Sequence, residues 1–136
     1  MIRFLLDTNI CVELIRGRAD QVFKRLQQHT ADEIGISTIT FAELQYGVAK
    51  SARPGRNAIL LAKFCAPLAI LPFDNAAAEA YGGLRAELER QGKPIGPLDT
   101  LIAAHALSLD VTLITNNERE FRRVAGLRVA NWLAAH

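Results

Sequence analysis

A few oxygen-bearing side chains stand where short apolar runs end. Asp7 closes the run Ile2 to Leu6, Glu43 lies in the helical stretch after Ile34 to Ser37, and Asp99 follows the Gly- and Pro-rich segment 91–97. Asn117 and Glu120 follow Val111 to Ile114. Ligand sites in open α/β sheets lie beyond the carboxyl ends of the strands, so these crossovers deliver their acids to one edge. Carboxylates that converge repel one another and lose hydration unless a cation neutralises them. A hard divalent ion held by oxygen, Mg²⁺ or Mn²⁺, meets that need. Such an ion polarises a phosphoryl oxygen and activates water for in-line attack. An oxygen-only donor set argues against zinc.

Each residue also has a plainer reading. Asp7, Asp99 and Asn117 could be helix caps, Glu43 a solvated helical acid, and Glu118 or Glu120 a partner of a helix dipole. The case for a site rests on their co-occurrence. Other chemistries lack their motifs: there is no Gly-x-Ser-x-Gly, no phosphate-binding loop ending in Lys-Ser/Thr and no dinucleotide fingerprint. His105, in an alanine-rich helix, fits packing or a structural hydrogen bond better than metal ligation. His29 and His136 read as exposed and inert.

The elements that must position these groups alternate. Strands are expected at 2–6, 33–37, 69–71, 111–114 and 127–129. Helices are expected from a Thr8-Asn9 cap to Ile15, from an Asp20 cap onward, from Thr38 or Thr40 through Val48, and over Arg56–Cys65. Further helices run from an Asp74 cap to Arg90, from Asp99 through Ala106, and briefly after Asn117. Pro54 limits continuation of the third helix, and Gly82-Gly83 weakens the long one. Alternation of this kind predicts an α/β fold, a central, mostly parallel sheet of four to five strands with helices on both faces. Residues 1–136 read as one domain, with no repeat or linker.

Composition narrows the class. Sixteen Lys and Arg against 14 Asp and Glu give +2, which excludes histone-like basicity but not a nucleic-acid partner. Twelve of the basic residues are Arg, suited to bidentate phosphate contacts, although nucleotide composition alone gives the same bias. Arg119 and Lys93 are the candidate substrate contacts, beside other arginines at 16, 18, 85, 90, 122 and 123. Cys11 and Cys65 read as reduced core residues of a cytoplasmic protein, and no stretch approaches the ~20 apolar residues of a membrane span.

The segment Leu5-Leu6-Asp7-Thr8-Asn9 resembles the opening motif of PIN-domain ribonucleases. The likeness continues through Ile36 to Leu44, where Glu43 matches the second acid, and Gly96 to Ala106, where Asp99 matches the third. It closes with Leu113 to Phe121 and the tail Gly126 to Trp132. The whole chain is similar to the VapC-type toxins of that family. The resemblance implies a metal-dependent endoribonuclease in which Asp7, Glu43 and Asp99 bind Mg²⁺ or Mn²⁺. Asn117 stands where many members carry a fourth acid, and Glu120 could replace the missing charge. Thr8, Asn9 and Thr115 would orient ligands, water or substrate, structural capping being an equal reading for Thr8. The resemblance further implies an RNA substrate, transfer RNA cut in the anticodon loop, a VapB-type antitoxin and a homodimer. Phe41, Tyr46 and the helix Arg56–Phe64 are candidates for the dimer surface, with the core an equal place for Phe41. A PIN-type nuclease acting in RNA processing or on DNA without an antitoxin, and a degenerate binding module, are the alternatives.

Overall fold

The computed structural model describes residues 1–133; His136 lies outside them. The chain alternates β1 (Phe4–Leu6), α1 (Thr8–Ile15), α2 (Asp20–Leu26), a 3₁₀ turn (Ala31–Glu33), β2 (Ile34–Ser37), α3 (Thr38–Ala49) and α4 (Pro54–Cys65). It continues with β3 (Ala69–Leu71), α5 (Asn75–Arg90), α6 (Pro97–Leu109), β4 (Thr112–Ile114), α7 (Glu118–Phe121) and β5 (Arg128–Ala130). The five strands form one sheet in the order β3-β2-β1-β4-β5, and every pairing is parallel. The expected α/β architecture is present, with the sheet parallel throughout.

Short strands suffice because both faces of the sheet are covered. Successive strand residues point to opposite faces, and the core divides accordingly. Leu6 and Ile114 join Ile10, Val22, Ile36 and Leu61 on one face. Leu5 and Leu113 join Ile102, Ala106, Phe121 and Val124 on the other. At the close approach of β2 to β3, a Cβ on Gly35 would stand 3.0 Å from the Ala69 carbonyl oxygen, so only glycine fits there without displacement. β1 is central: its chain crosses to β2 and β3 on one side and later returns to β4 and β5 on the other. The switch point therefore lies between β1 and β4, directly beyond Leu6 and Ile114.

Several expectations change at the helix ends. α1 is capped by Asp7, whose side chain accepts from the Ile10 amide, and not by Thr8 or Asn9. α4 begins at Pro54, whose missing N–H costs nothing in a first turn, so the proline starts this helix as well as stopping the one before. α6 begins at Pro97 with Gly96 as its cap, which moves Asp99 from the opening position to the third residue. α5 is capped by Asp74 as expected and runs unbroken through Gly82 and Gly83, held by its packing against α6.

His29 is not exposed and inert: it stacks on Trp132 with ring centroids 5.9 Å apart and tilts against Phe4 at 4.6 Å. Phe41 is partly buried and packs against the core. Cys11 and Cys65 are free, and burial pushes both thiols up, which removes them as nucleophiles. No helix among the described residues is long and apolar enough to cross a membrane.

Candidate active site

Asp7 occupies the switch point, 3% exposed. Its Oδ1 accepts the Ile10 amide at 2.8 Å, and its Oδ2 accepts the Thr115 hydroxyl. Burial pushes this carboxyl up, the Thr115 and Ile10 donors pull it back down, and the Glu43 charge raises it again. Thr115 is fully buried at the end of β4. Its backbone N–H binds Ala130 at 3.0 Å, and its hydroxyl oxygen accepts the Asn117 amide at 2.9 Å. The end of β4 thus holds Asp7 and places the following loop in one step.

Glu43 stands on α3, facing α1. The Thr8 hydroxyl donates to Glu43 Oε1 at 2.7 Å and lies 3.2 Å from the hydroxyl of Thr40, which is fully buried. Thr40 is a site residue that the sequence reading missed. The available signal was its spacing: a threonine one turn before an acid on the same helix face.

Asp99 and Glu120 meet above Gly96. A Cβ on Gly96 would stand 3.6 Å from both Asp99 Oδ2 and Glu120 Oε1. Glu120 Oε1 accepts the Gly96 amide at 2.6 Å, and its Oε2 accepts the Asn117 side-chain amide at 2.7 Å. Asn117 sits at the cap position of α7 but makes no side-chain cap, so its nitrogen serves Glu120 and its amide oxygen is left to other partners. Burial pushes the Asp99 carboxyl up to about 6, reinforced by the charges of Glu120, Asp7 and Glu43.

The structure therefore brings Asp7, Glu43 and Glu120 each within electrostatic reach of Asp99, and Glu43 within reach of Asp7. Among the described residues, no three His, Cys, Asp or Glu side chains close into a preformed metal cage. The donor chemistry nevertheless fits a hard divalent cation. The acids are oxygen donors, and burial together with the charges of Glu120, Asp7 and Glu43 disfavours the Asp99 anion, a cost that a bound cation would relieve.

The expected substrate contacts divide. Lys93 and Arg119 are exposed, and their side chains make no ion pair or hydrogen bond among the described residues. Other arginines are engaged: Arg18 with Glu13, Arg85 with Glu89, Arg90 with Glu87 and Arg122 with Glu118. Arg123 donates to the Pro94 carbonyl at 3.0 Å and braces the loop before Asp99. Asn9 is exposed, and its side chain makes no hydrogen bond among the described residues. Beside Thr8 and Glu43 opens a cleft of about 970 Å³ between α1, α3 and α4. Val12, Ile39 and Leu60 contribute to its apolar lining, and Arg16, Lys50 and Arg56 supply its basic groups.

A PIN-domain family model matches residues 4–127. The tRNA(fMet)-specific endonuclease VapC of Shigella flexneri is 44% identical, over 97% of this chain and 99% of its own length. Ribonuclease VapC2 of Rickettsia felis is 43% identical over 95% of this chain and 97% of its own. Among solved structures, the DNA-bound VapBC of Salmonella typhimurium aligns with a TM-score of 0.93 at 42% identity, covering 97% of this chain and 99% of that one. With these matches running almost end to end, the chain belongs to the PIN-domain family, in its VapC branch.

Proposed function

We propose that the protein is a divalent-metal-dependent endoribonuclease toxin that hydrolyses transfer RNA in the anticodon loop. The observation that carries this reading is that Asp7, Glu43 and Glu120, each from a different crossover, bring their charges to bear on Asp99 near the β1/β4 switch point. Asp7, Glu43, Asp99 and Glu120 would hold Mg²⁺ or Mn²⁺, with the Asn117 amide oxygen available to a bound water. When bound, such an ion polarises the scissile phosphate and lowers the pKa of water. The chain's own residues do the rest. Thr115 and the Ile10 amide orient Asp7 and oppose the upward push of burial on its carboxyl, Thr8 backed by Thr40 orients Glu43, and Gly96 and Asn117 hold Glu120. Lys93 and Arg119 flank this edge as contacts for RNA phosphates, and Asn9 faces the solvent side of the same edge. Hydrolysis by water leaves 5′-phosphate and 3′-hydroxyl ends, so preference for RNA comes from the shape of an exposed loop.

Relatives named as tRNA(fMet)-specific support the substrate, and solved relatives that are VapBC complexes support a VapB-type antitoxin. The cleft beside Glu43 suits an antitoxin segment: apolar side chains for its floor, and a terminal cation to pair with the acids. Exposed Tyr46 and the exposed Ile59 of α4 suit a homodimer contact. Residues 1–136 act as one domain, in the cytoplasm.

Purified protein is to be incubated with total RNA and with initiator transfer RNA, with and without Mg²⁺, beside Asp7→Asn. The expected result is one metal-dependent cut, absent from the variant. Equal cleavage by both proteins would remove the activity from this site.

A further inference from the structure

His105 is 1% exposed on α6, six residues beyond Asp99. Its Nδ1 lies 2.8 Å from the hydroxyl of Ser37, which is itself fully buried. Ser37 caps α3: its Oγ accepts the Ile39 amide at 3.0 Å. That leaves the Ser37 O–H free to donate to Nδ1, which puts the ring proton on Nε2, and the Pro72 carbonyl faces the ring as its backbone acceptor. Burial lowers the basicity of the imidazole, in keeping with a neutral ring. The ring also meets Phe73 edge-on at 5.4 Å, and the Phe73 amide donates to Thr38 at 3.1 Å, one residue past the cap.

One imidazole therefore joins α6, the first turn of α3 and the segment leaving β3. Asp99 lies six residues from the bridge along α6, and Glu43 lies six residues from it along α3. Each arm is about 9 Å of helix at 1.5 Å per residue, and the two carboxylates end within electrostatic reach of each other. A packing residue at position 105 needs only volume. This residue instead places a polar side chain on the cap of the helix that carries Glu43.

We infer that His105 is a positioning residue that sets the spacing of Glu43 and Asp99 through its bond to Ser37. The inference rests on the reading of those acids as the metal-binding pair. Mn²⁺ alone, followed by electron paramagnetic resonance on the full chain, is the probe, with thermal melting alongside. Outer partners of metal ligands typically contribute about tenfold or more to affinity. His105→Leu, which keeps volume and loses both ring nitrogens, is expected to weaken Mn²⁺ binding by about that factor. His105→Asn, which keeps an acceptor near the place of Nδ1, recovers most of it. Cleavage by His105→Leu falls in kcat, with KM for RNA unchanged.

Ser37→Gly approaches the same bond from its other end, because glycine retains most of a helix cap and lacks the hydroxyl. It keeps the test open if His105→Leu fails to fold. Weakened Mn²⁺ binding by Ser37→Gly supports the bridge, whereas wild-type binding by Ser37→Gly, or by a folded His105→Leu with a lowered melting temperature, overturns it. Asp99→Asn serves as reference: wild-type Mn²⁺ binding there would mean that the metal site has been misread, independently of the bridge.

Discussion

Asp7 and Asp99 share one site and are treated very differently by the fold. Asp7 is the more deeply buried, yet it receives the Ile10 amide and the Thr115 hydroxyl. Asp99 is less buried, faces Glu120 across Gly96, and is the acid pushed up to about 6. The difference teaches that burial alone does not set the charge state. Donors aimed at a carboxylate decide whether its ion is tolerated. Both carboxyls are raised by burial, but on one side two donors oppose the rise, while on the other the neighbouring charge of Glu120 adds to it.

The largest effects test both halves at once. Asp7→Asn and Asp99→Asn are each expected to lower cleavage by at least about a hundredfold, the scale of one lost electrostatic element in a preorganised site. Melting in a chelator separates them. Asp99→Asn removes a repelled charge and raises the melting temperature. Asp7→Asn turns an N–H₂ group toward a hydrogen-bond donor and loses about 1–3 kcal/mol of stability. Equal shifts in the same direction would end the distinction.

Next in size is the loss of the donor. Thr115→Val keeps shape, drops the hydroxyl and raises the Asp7 carboxyl further. Cleavage at neutral pH should fall about tenfold, and the acid limb of the pH–rate profile should move upward. Thr8→Val should do less, because Glu43 is less enclosed than Asp7.

The pH dependence of stability gives a third test. The folded Asp99 carboxyl holds its proton to about 6, and the unfolded one releases it near 3.8. Between these values the native state binds more protons, so metal-free stability should fall as pH rises through the window and level above it. Asp99→Asn should flatten that slope. Mg²⁺ should counter it, binding more tightly as pH rises past about 6 and the proton leaves. The smallest effect belongs to the rim. Lys93→Ala and Arg119→Ala should raise KM for RNA a few-fold and lower its salt dependence, leaving melting unchanged.

What could be read along the chain follows from range. Asp74 announces α5 because a cap acts within three residues, and the short apolar runs announce strands because they lie inside the sheet. The places of the acids in the crossovers that follow the strands were legible. The groups that hold them were not. Thr115 meets Asp7 across 108 positions, and Ser37 meets His105 across 68. Asn117 shows the limit of matching by motif. It stands near the expected fourth acid, but Glu120 brings the charge to Asp99, and Asn117 supports Glu120. The shift of the α1 cap to Asp7 has a similar cause, since the residue that ends the strand also faces the first amides of the helix.

The central place of β1 has a consequence for biosynthesis. The first strand made pairs on one side with β4, a segment translated about a hundred residues later. A growing polypeptide carries Asp7 and Glu43 early, but the partners that complete their setting arrive only with β4 and α7. Contacts so distant in sequence form late and slowly. A chain on the ribosome therefore has no assembled acid cluster until β4 and α7 have emerged.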